Sequence, residues 1–235
     1  MKSVSTTKLL RLSERLSSEQ KIAIAKNELS YFANEFITLE DGIRFSFKKH
    51  EYLIEPYQLH HDKTVFEKAA QMGATTLAFI TAFHSCWTLF PKGVIYFFPT
   101  KTDVSDFVRG RIDPLTQNNK IIQDLMRSTD NVGLKQIGKS FIYFRGMESK
   151  IGMKSVPADM AIYDEIDEAP PKAKSMARER LSHSNFKWEL QLSNPSMPNY
   201  GIDIDFQLSD QRYWNLKCPH CGTWNCVEDE FPKCL

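Results

Sequence analysis

A chain of 235 residues, with 42% hydrophobic and 25% charged side chains, has the make-up of a globular protein with one sizeable core and room for appendages. A formal charge of +1 excludes a protein that coats nucleic acid uniformly, so any contact with a phosphate backbone must be regional. No apolar run approaches the roughly 20 residues of a membrane helix, and the polar N-terminal stretch does not read as a signal peptide, so a cytoplasmic chain is expected.

In chain order, Leu9, Leu10, Leu12 and Leu16, then Ile22, Ile24, Ala25, Leu29, Phe32 and Phe36 recur at helical spacing. The pattern breaks near Ser17-Ser18, where Gln20 can complete a capping box, and two helices are expected. Alternation from Ile43 to Phe47 after Asp41-Gly42 predicts a strand entered through a turn. Residues 1–55 therefore read as a helical arm and a lead-in strand. From Tyr57 the character changes to short apolar strands, expected at Thr64 to Ala69, Gly93 to Phe98, Ser140 to Phe144, Met160 to Tyr163 and Glu189 to Ser193. Helices are expected between them, at Thr75 to Leu89, Asp103 to Gly110, Pro114 to Arg127 and Ala173 to Leu181. Such alternation predicts an α/β core over residues 56–210, with a mostly parallel sheet flanked by helices. Residues 211–235 form a linker.

Lys68-Ala69-Ala70-Gln71-Met72-Gly73-Ala74-Thr75-Thr76 leaves a predicted strand and opens a predicted helix, where turn amides and helix N-terminal amides converge on an anion. Against GxxxxGK[ST], Gly73 takes the second glycine position and Thr75 the hydroxyl that ligates Mg²⁺, but Ala74 stands in place of lysine. Lys68 occupies the first glycine position, from which its flexible stem can return an ammonium to the phosphates; the chemistry needs a cation, not a particular address for it. Alone, the same residues also suit a strand-to-helix turn with a snorkelling lysine.

Met160-Ala161-Ile162-Tyr163-Asp164-Glu165 is a short apolar strand that ends in two acids, downstream of the loop. This is the form of a Walker B element, with Asp164 holding Mg²⁺ and Glu165 polarising the attacking water. A buried strand with an acidic exposed end, continued by Asp167 and Glu168, is the bland alternative, and the loop upstream weighs against it.

These pieces, taken in order with Pro56-Tyr57-Gln58, Phe98-Pro99-Thr100, Ser155-Val156-Pro157-Ala158, Leu192-Ser193-Asn194-Pro195, and Ser209 to Tyr213 leading to Cys218-Pro219-His220-Cys221-Gly222, resemble the large terminase subunits of tailed phages. The likeness is to the lambda-like branch, whose phosphate loop carries its lysine at the first position, and it covers about residues 50 to 225. It implies a P-loop NTPase of the ASCE type: an ATPase that drives double-stranded DNA into a procapsid. It also implies that Gln58 contacts adenine, that Lys68 and Thr75 handle phosphate and Mg²⁺, and that Ser193-Asn194 couples hydrolysis to movement. The implied partners are DNA, a small terminase subunit, the procapsid portal and further copies in a homo-oligomeric ring. The implied location is the bacterial host cytoplasm, with transient docking on the portal. Such motors need an arginine finger, for which Arg109, Arg145, Arg178 and Arg180 are candidates. The family's C-terminal nuclease domain is expected to be absent, leaving the motor half. A helicase-like nucleic-acid ATPase and a non-hydrolysing nucleotide- or DNA-binding module remain the alternatives.

Lys172, Lys174, Arg178, Arg180 and Lys187 after the acidic strand, and Lys150 and Lys154 before it, can either grip a DNA backbone or form a solvated face. Cys86 falls in an apolar helical stretch and reads as a buried thiol. Cys218-x-x-Cys221 has the spacing of half a zinc ribbon, with Cys226, Cys234 or His220 as further ligand candidates at a spacing unlike a standard ribbon.

Overall fold

The computed structural model describes residues 15–58, 61–148 and 156–227. The first predicted helix lies largely outside these residues, and the break after it is a capping box. The Ser17 hydroxyl accepts from Gln20 N–H at 3.2 Å and the Gln20 side chain accepts from Ser17 N–H at 2.9 Å, opening the helix Ser18–Asn27. Glu28, in extended backbone, separates it from a second helix, Leu29–Phe36, so the periodicity from Ile22 to Phe36 belongs to two helices.

No strand forms at Ile43 to Phe47; a single bridge joins Thr38 and Arg44. The alternation there has a different cause. Phe45 and Phe47 pack on Tyr57 with ring centroids 5.3 Å apart in both cases, and this buries one side of an extended segment that has no partner strand.

Seven strands form the main sheet: β1 (Lys63–Glu67), β2 (Val94–Phe98), β3 (Met126–Asn131), β4 (Leu134–Ile137), β5 (Ser140–Gly146), β6 (Met160–Asp164) and β7 (Trp188–Ser193). Their order is β1-β7-β6-β2-β5-β4-β3. The first five are parallel, and β4 and β3 add an antiparallel edge that the sequence pattern did not predict. The expected helix from Pro114 to Arg127 is two short helices, Asp113–Asn118 and Lys120–Leu125, and Met126 already enters β3. Asn119 makes the break. Its side chain donates to the carbonyls of Leu115 (2.7 Å) and Thr38 (2.6 Å) and accepts from Thr38 N–H (2.7 Å), tying the helical arm to the core.

Helices on both faces create two cores, and the strands serve them alternately. Val94, Tyr96 and Phe98 of β2, with Met160 and Ile162 of β6, join the core that holds the buried helix Ala74–Thr88. Ile95 and Phe97, with Ala161 and Tyr163, face the other core, around the helix Ala173–Arg178. A side-chain period of two with both faces buried gives the continuous apolar runs seen in the sequence. A separate hairpin pairs β8 (Asn215–Lys217) with β9 (Trp224–Cys226). Among the described residues no helix is long and apolar enough to cross a membrane.

Gly93 enters β2 at φ +97°, where a Cβ would lie 2.0 Å from the Phe141 carbonyl oxygen of β5. Gly93→Ala combines left-handed strain with overpacking and should cost about 2–5 kcal/mol. Urea unfolding should show this as a lower midpoint at unchanged slope. Gly110→Ala, with nothing within 4 Å of the added carbon, is the control, and equal midpoints for the two variants would refute the packing account.

Candidate active site

Parallel register brings the site together. Glu67 at the end of β1 pairs with Ser193 of β7, and Asp164 at the end of β6 pairs with Leu192. The carboxyl ends of the three strands are therefore level, the usual position for a ligand on an open α/β sheet. Lys68 extends the ladder by donating its N–H to the Ser193 carbonyl at 2.9 Å.

The loop from Lys68 to Gly73 then turns into the helix Ala74–Thr88. Gln71 (φ 62°) and Gly73 (φ 77°) both take the left-handed conformation. Gly73 is the N-cap, no side chain caps the helix, and its first-turn amides are left to a ligand. A Cβ on Gly73 would come within 3.1 Å of the Leu53 side chain, so the turn suits glycine on two counts. The Tyr52 hydroxyl donates to the Met72 carbonyl at 3.1 Å and pins the loop from outside.

The Lys68 ammonium points back into this corner. It lies 2.6 Å from Glu165 Oε1, 3.3 Å from Asp164 Oδ1 and 3.4 Å from Thr75 Oγ1. Thr75 Oγ1 is in turn 3.5 Å from Asp164 Oδ1. Asp164 is only 2% exposed, and its other oxygen accepts from the buried Tyr96 hydroxyl at 2.9 Å. Burial raises the Asp164 carboxyl pKa and outweighs the opposing pull of Lys68. For Lys68, burial pushes the pKa down, but Asp164 and Glu165 together overcome it and the ammonium is held above its ordinary value. Glu165 sits at φ 51°, a conformation that costs a non-glycine residue energy and gathers at working sites. Its second oxygen faces Ser193 Oγ at 3.5 Å and Asn194 N–H at 3.4 Å.

In front of the loop lies a cavity of about 350 Å³. It is lined by Lys68, Ala69, Gln71, Met72, Gly73, Ala74, Thr75 and Thr76 of the loop and helix start and by Leu39, Glu40, Asp41, His50 and Arg111 from other segments. Ala70, in the turn of the loop, is exposed, as is Gln58, which follows the short 3₁₀ turn Glu51–Leu53 and is not among the cavity-lining residues.

Of the expected arginines, Arg145 donates to the Gly133 and Phe144 carbonyls and Arg178 makes a two-pronged pair with Glu189 at 2.7 and 2.8 Å. Arg180 lies 3.3 Å from Glu179, and Arg109 is exposed. The arginine that lines the cavity is Arg111, 3.1 Å from Glu40 Oε1. Neither Arg111 nor Tyr96 carries a sequence signal; the fold alone brings them to the site.

The basic stretch after β6 is largely matched by acids: Lys174 pairs with Asp205, which also takes Lys63 at 2.8 Å, and Arg178 pairs with Glu189. Lys150, Lys154 and Cys234 lie outside the described residues. Cys86 is buried, and its thiol pKa is pushed up to about 12 by desolvation. Cys218 and Cys221 flank the turn before β9 as free thiols, the Cys221 pKa drawn down to about 7 by the Thr223 hydroxyl and backbone. Among the described residues no three His, Cys, Asp or Glu side chains gather to hold a metal, so the expected zinc set does not assemble from them.

Comparison with known proteins places this geometry. The model of the family described as "Phage terminase large subunit gpA, ATPase domain" matches residues 51–231. No curated protein matches the chain. Among solved structures, the large terminase of bacteriophage HK97 superposes with a TM-score of 0.62 at 12% identity over 77% of this chain. The chain spans 40% of that protein's length. The large terminase ATPase domain of Thermus phage P74-26 gives a TM-score of 0.51 at 18% identity, covering 77% of this chain and 81% of that one. The large terminase of another thermophilic bacteriophage, in complex with ADP, gives 0.50 at 14% identity, over 62% of this chain and 37% of that one. At these identities the likeness is one of fold: mixed α/β, with a mostly parallel sheet and flanking helices of the P-loop type. The family match spans well over half of the chain and includes both the loop 68–76 and the acid-tipped strand, so the chain belongs to the phage terminase large subunit gpA family, as its ATPase domain.

Proposed function

We propose that this domain hydrolyses ATP with Mg²⁺ and uses the energy to move double-stranded DNA into a procapsid. The observation that carries the chemistry is the meeting of Lys68, Thr75, Asp164 and Glu165 at the open N-terminus of the helix Ala74–Thr88. Loop residues 69–74 offer backbone amides to the phosphates, and Lys68 supplies the cation that Ala74 does not. With phosphate oxygens present, Lys68 has anionic partners besides Glu165, leaving that carboxylate to orient and polarise water.

The donor set fits Mg²⁺, a hard cation that takes one or two protein oxygens and keeps several waters. Thr75 Oγ1 and the Asp164 carboxylate are such oxygens, 3.5 Å apart at the mouth of the loop. Bound there, the metal would neutralise charge on the transferring phosphoryl group. Tyr96 acts as a positioning residue, because its hydroxyl fixes which way the Asp164 carboxylate faces.

Coupling to movement falls to Ser193 and Asn194, which touch the oxygen of Glu165 that faces away from Lys68. The route outward is built of hydrogen bonds. Asp167 N–H contacts Ser193 Oγ at 3.3 Å, and the Asp167 carboxylate accepts from Ser196 N–H at 2.9 Å and Ile202 N–H at 2.7 Å. A change at Glu165 on phosphate release thus has a rigid path to residues 196–202. Family membership supports the remaining parts: a homo-oligomeric ring, a small terminase subunit, a portal as docking site, and an arginine finger from a neighbouring copy. Arg109, exposed on the turn before Arg111, is the candidate of the four best presented to a neighbour.

ATP turnover with Mg²⁺ at high protein concentration tests the assignment. Lys68→Ala and Glu165→Ala should each lose at least about 10²-fold in rate, the scale of a removed transition-state contact. Turnover unaffected by either change would place the active site elsewhere. Tyr96→Phe should weaken the Mg²⁺ dependence of turnover by about 10- to 100-fold while leaving nucleotide binding without metal unchanged. An unaltered Mg²⁺ titration would remove Tyr96 from the site.

A further inference from the structure

Arg111 lines the same cavity as the phosphate loop, from a segment whose form is unusual. Val108–Ile112 is a π-helical turn, inserted between the helices Lys101–Phe107 and Asp113–Asn118. Such turns are rare and concentrate at functional sites, where the extra residue re-aims side chains. Here Val108 and Ile112 are buried at 0% and 1% exposure, and the three residues between them are turned outward. Arg111 reaches the cavity that Lys68, Gly73 and Thr75 also line.

The guanidinium rests, at 3.1 Å, against Glu40, which also lines the cavity. Both side chains are partly exposed, 46% and 25%, so the pair is screened by solvent and weak. A phosphate offers the guanidinium a more highly charged partner and a two-pronged geometry. A second cation would add to the one that Lys68 supplies. Ala74 holds the position of the usual loop lysine, and Lys68 is shared between two carboxylates.

We infer that Arg111 is a second phosphate-binding cation of this site, held by Glu40 until a nucleotide polyphosphate displaces the carboxylate. The inference rests on the nucleotide-binding reading given above. It makes Glu40 a competitor of the ligand, and the two partners of one ion pair should then have opposite effects when removed.

The test is binding of ATP and of inorganic tripolyphosphate to the full chain, with melting temperature followed in parallel, for Arg111→Ala, Arg111→Lys and Glu40→Gln. Arg111→Ala should weaken both ligands by about 10-fold or more, the scale of a charge-assisted hydrogen-bond set. Arg111→Lys should recover part of the loss, and Glu40→Gln should bind as tightly as the parent or more tightly. If the pair is only a staple between the arm and the core, Arg111→Ala and Glu40→Gln will lower the melting temperature together and shift binding in the same direction. That result overturns the inference, as does binding by Arg111→Ala equal to the parent. A parent chain that binds neither ligand, or binds both equally well after Lys68→Ala, overturns the reading of the site itself, and the inference with it.

Discussion

The Lys68 ammonium lies between Glu165 and Asp164, at 2.6 and 3.3 Å, and the rest of the site is arranged around that contact. Two carboxylates share one lysine in a corner where Asp164 is almost wholly removed from water. Burying a charge is costly unless it is paired and hydrogen-bonded. Asp164 receives both kinds of help, from Lys68 and from Tyr96, and burial still leaves its carboxyl pKa raised. The lysine is held as a cation for the complementary reason: although burial acts against it, the pull of both acids prevails. One positive charge set against two negative ones leaves a corner in which a further cation is electrostatically favoured, and the hydroxyl of Thr75 adds a ligand oxygen there.

The sheet order makes this corner. β7 lies between β1, which delivers Lys68, and β6, which delivers Asp164 and Glu165. The lysine must therefore reach across the end of β7, and the long flexible stem of that side chain permits it. The same insertion puts Ser193 and Asn194 beside Glu165, because the strand that separates the two motifs must end between them. Aromatic packing keeps the acidic strand in place: Tyr96 stacks on Phe98 with centroids 4.9 Å apart, and Phe97 stacks on Tyr163 at 5.6 Å across the β2–β6 pair. Tyr96 thus serves the core with its ring and the site with its hydroxyl.

Much of the core was legible along the chain. Of the parallel strands, β2 and β6 are short apolar runs buried along their whole length, and runs of that kind stand out without tertiary information. The buried helix after the loop and the capping box at Ser17 were equally plain, since both depend on neighbours within a few residues. The errors share a cause. Phe45 and Phe47 alternate like a strand because Tyr57 buries one side of an extended segment, and Asn119 breaks a helical pattern because Thr38, far away in sequence, takes its hydrogen bonds. β3 and β4 carry too few apolar residues to declare themselves, and they pair onto the edge of β5 opposite β2.

Residue order by itself determined the parts of the candidate site that sit on one continuous segment: a loop opening a helix, and an acid pair ending a strand. Local stereochemistry and side-chain period suffice for those, and the displaced lysine was visible as a cation at the loop's first position. Only the tertiary structure decided which residues from other segments join them. Tyr96 reaches Asp164 through the pairing of β2 with β6, and Arg111, on a π-turn, lines the same cavity as the loop. In the basic stretch, meanwhile, Lys174 is paired with Asp205, which comes near it only in the folded chain, and Arg178 with Glu189. Charge neutralisation and cavity walls depend on distance in space, and distance in space is set by strand order and helix packing rather than by spacing along the chain.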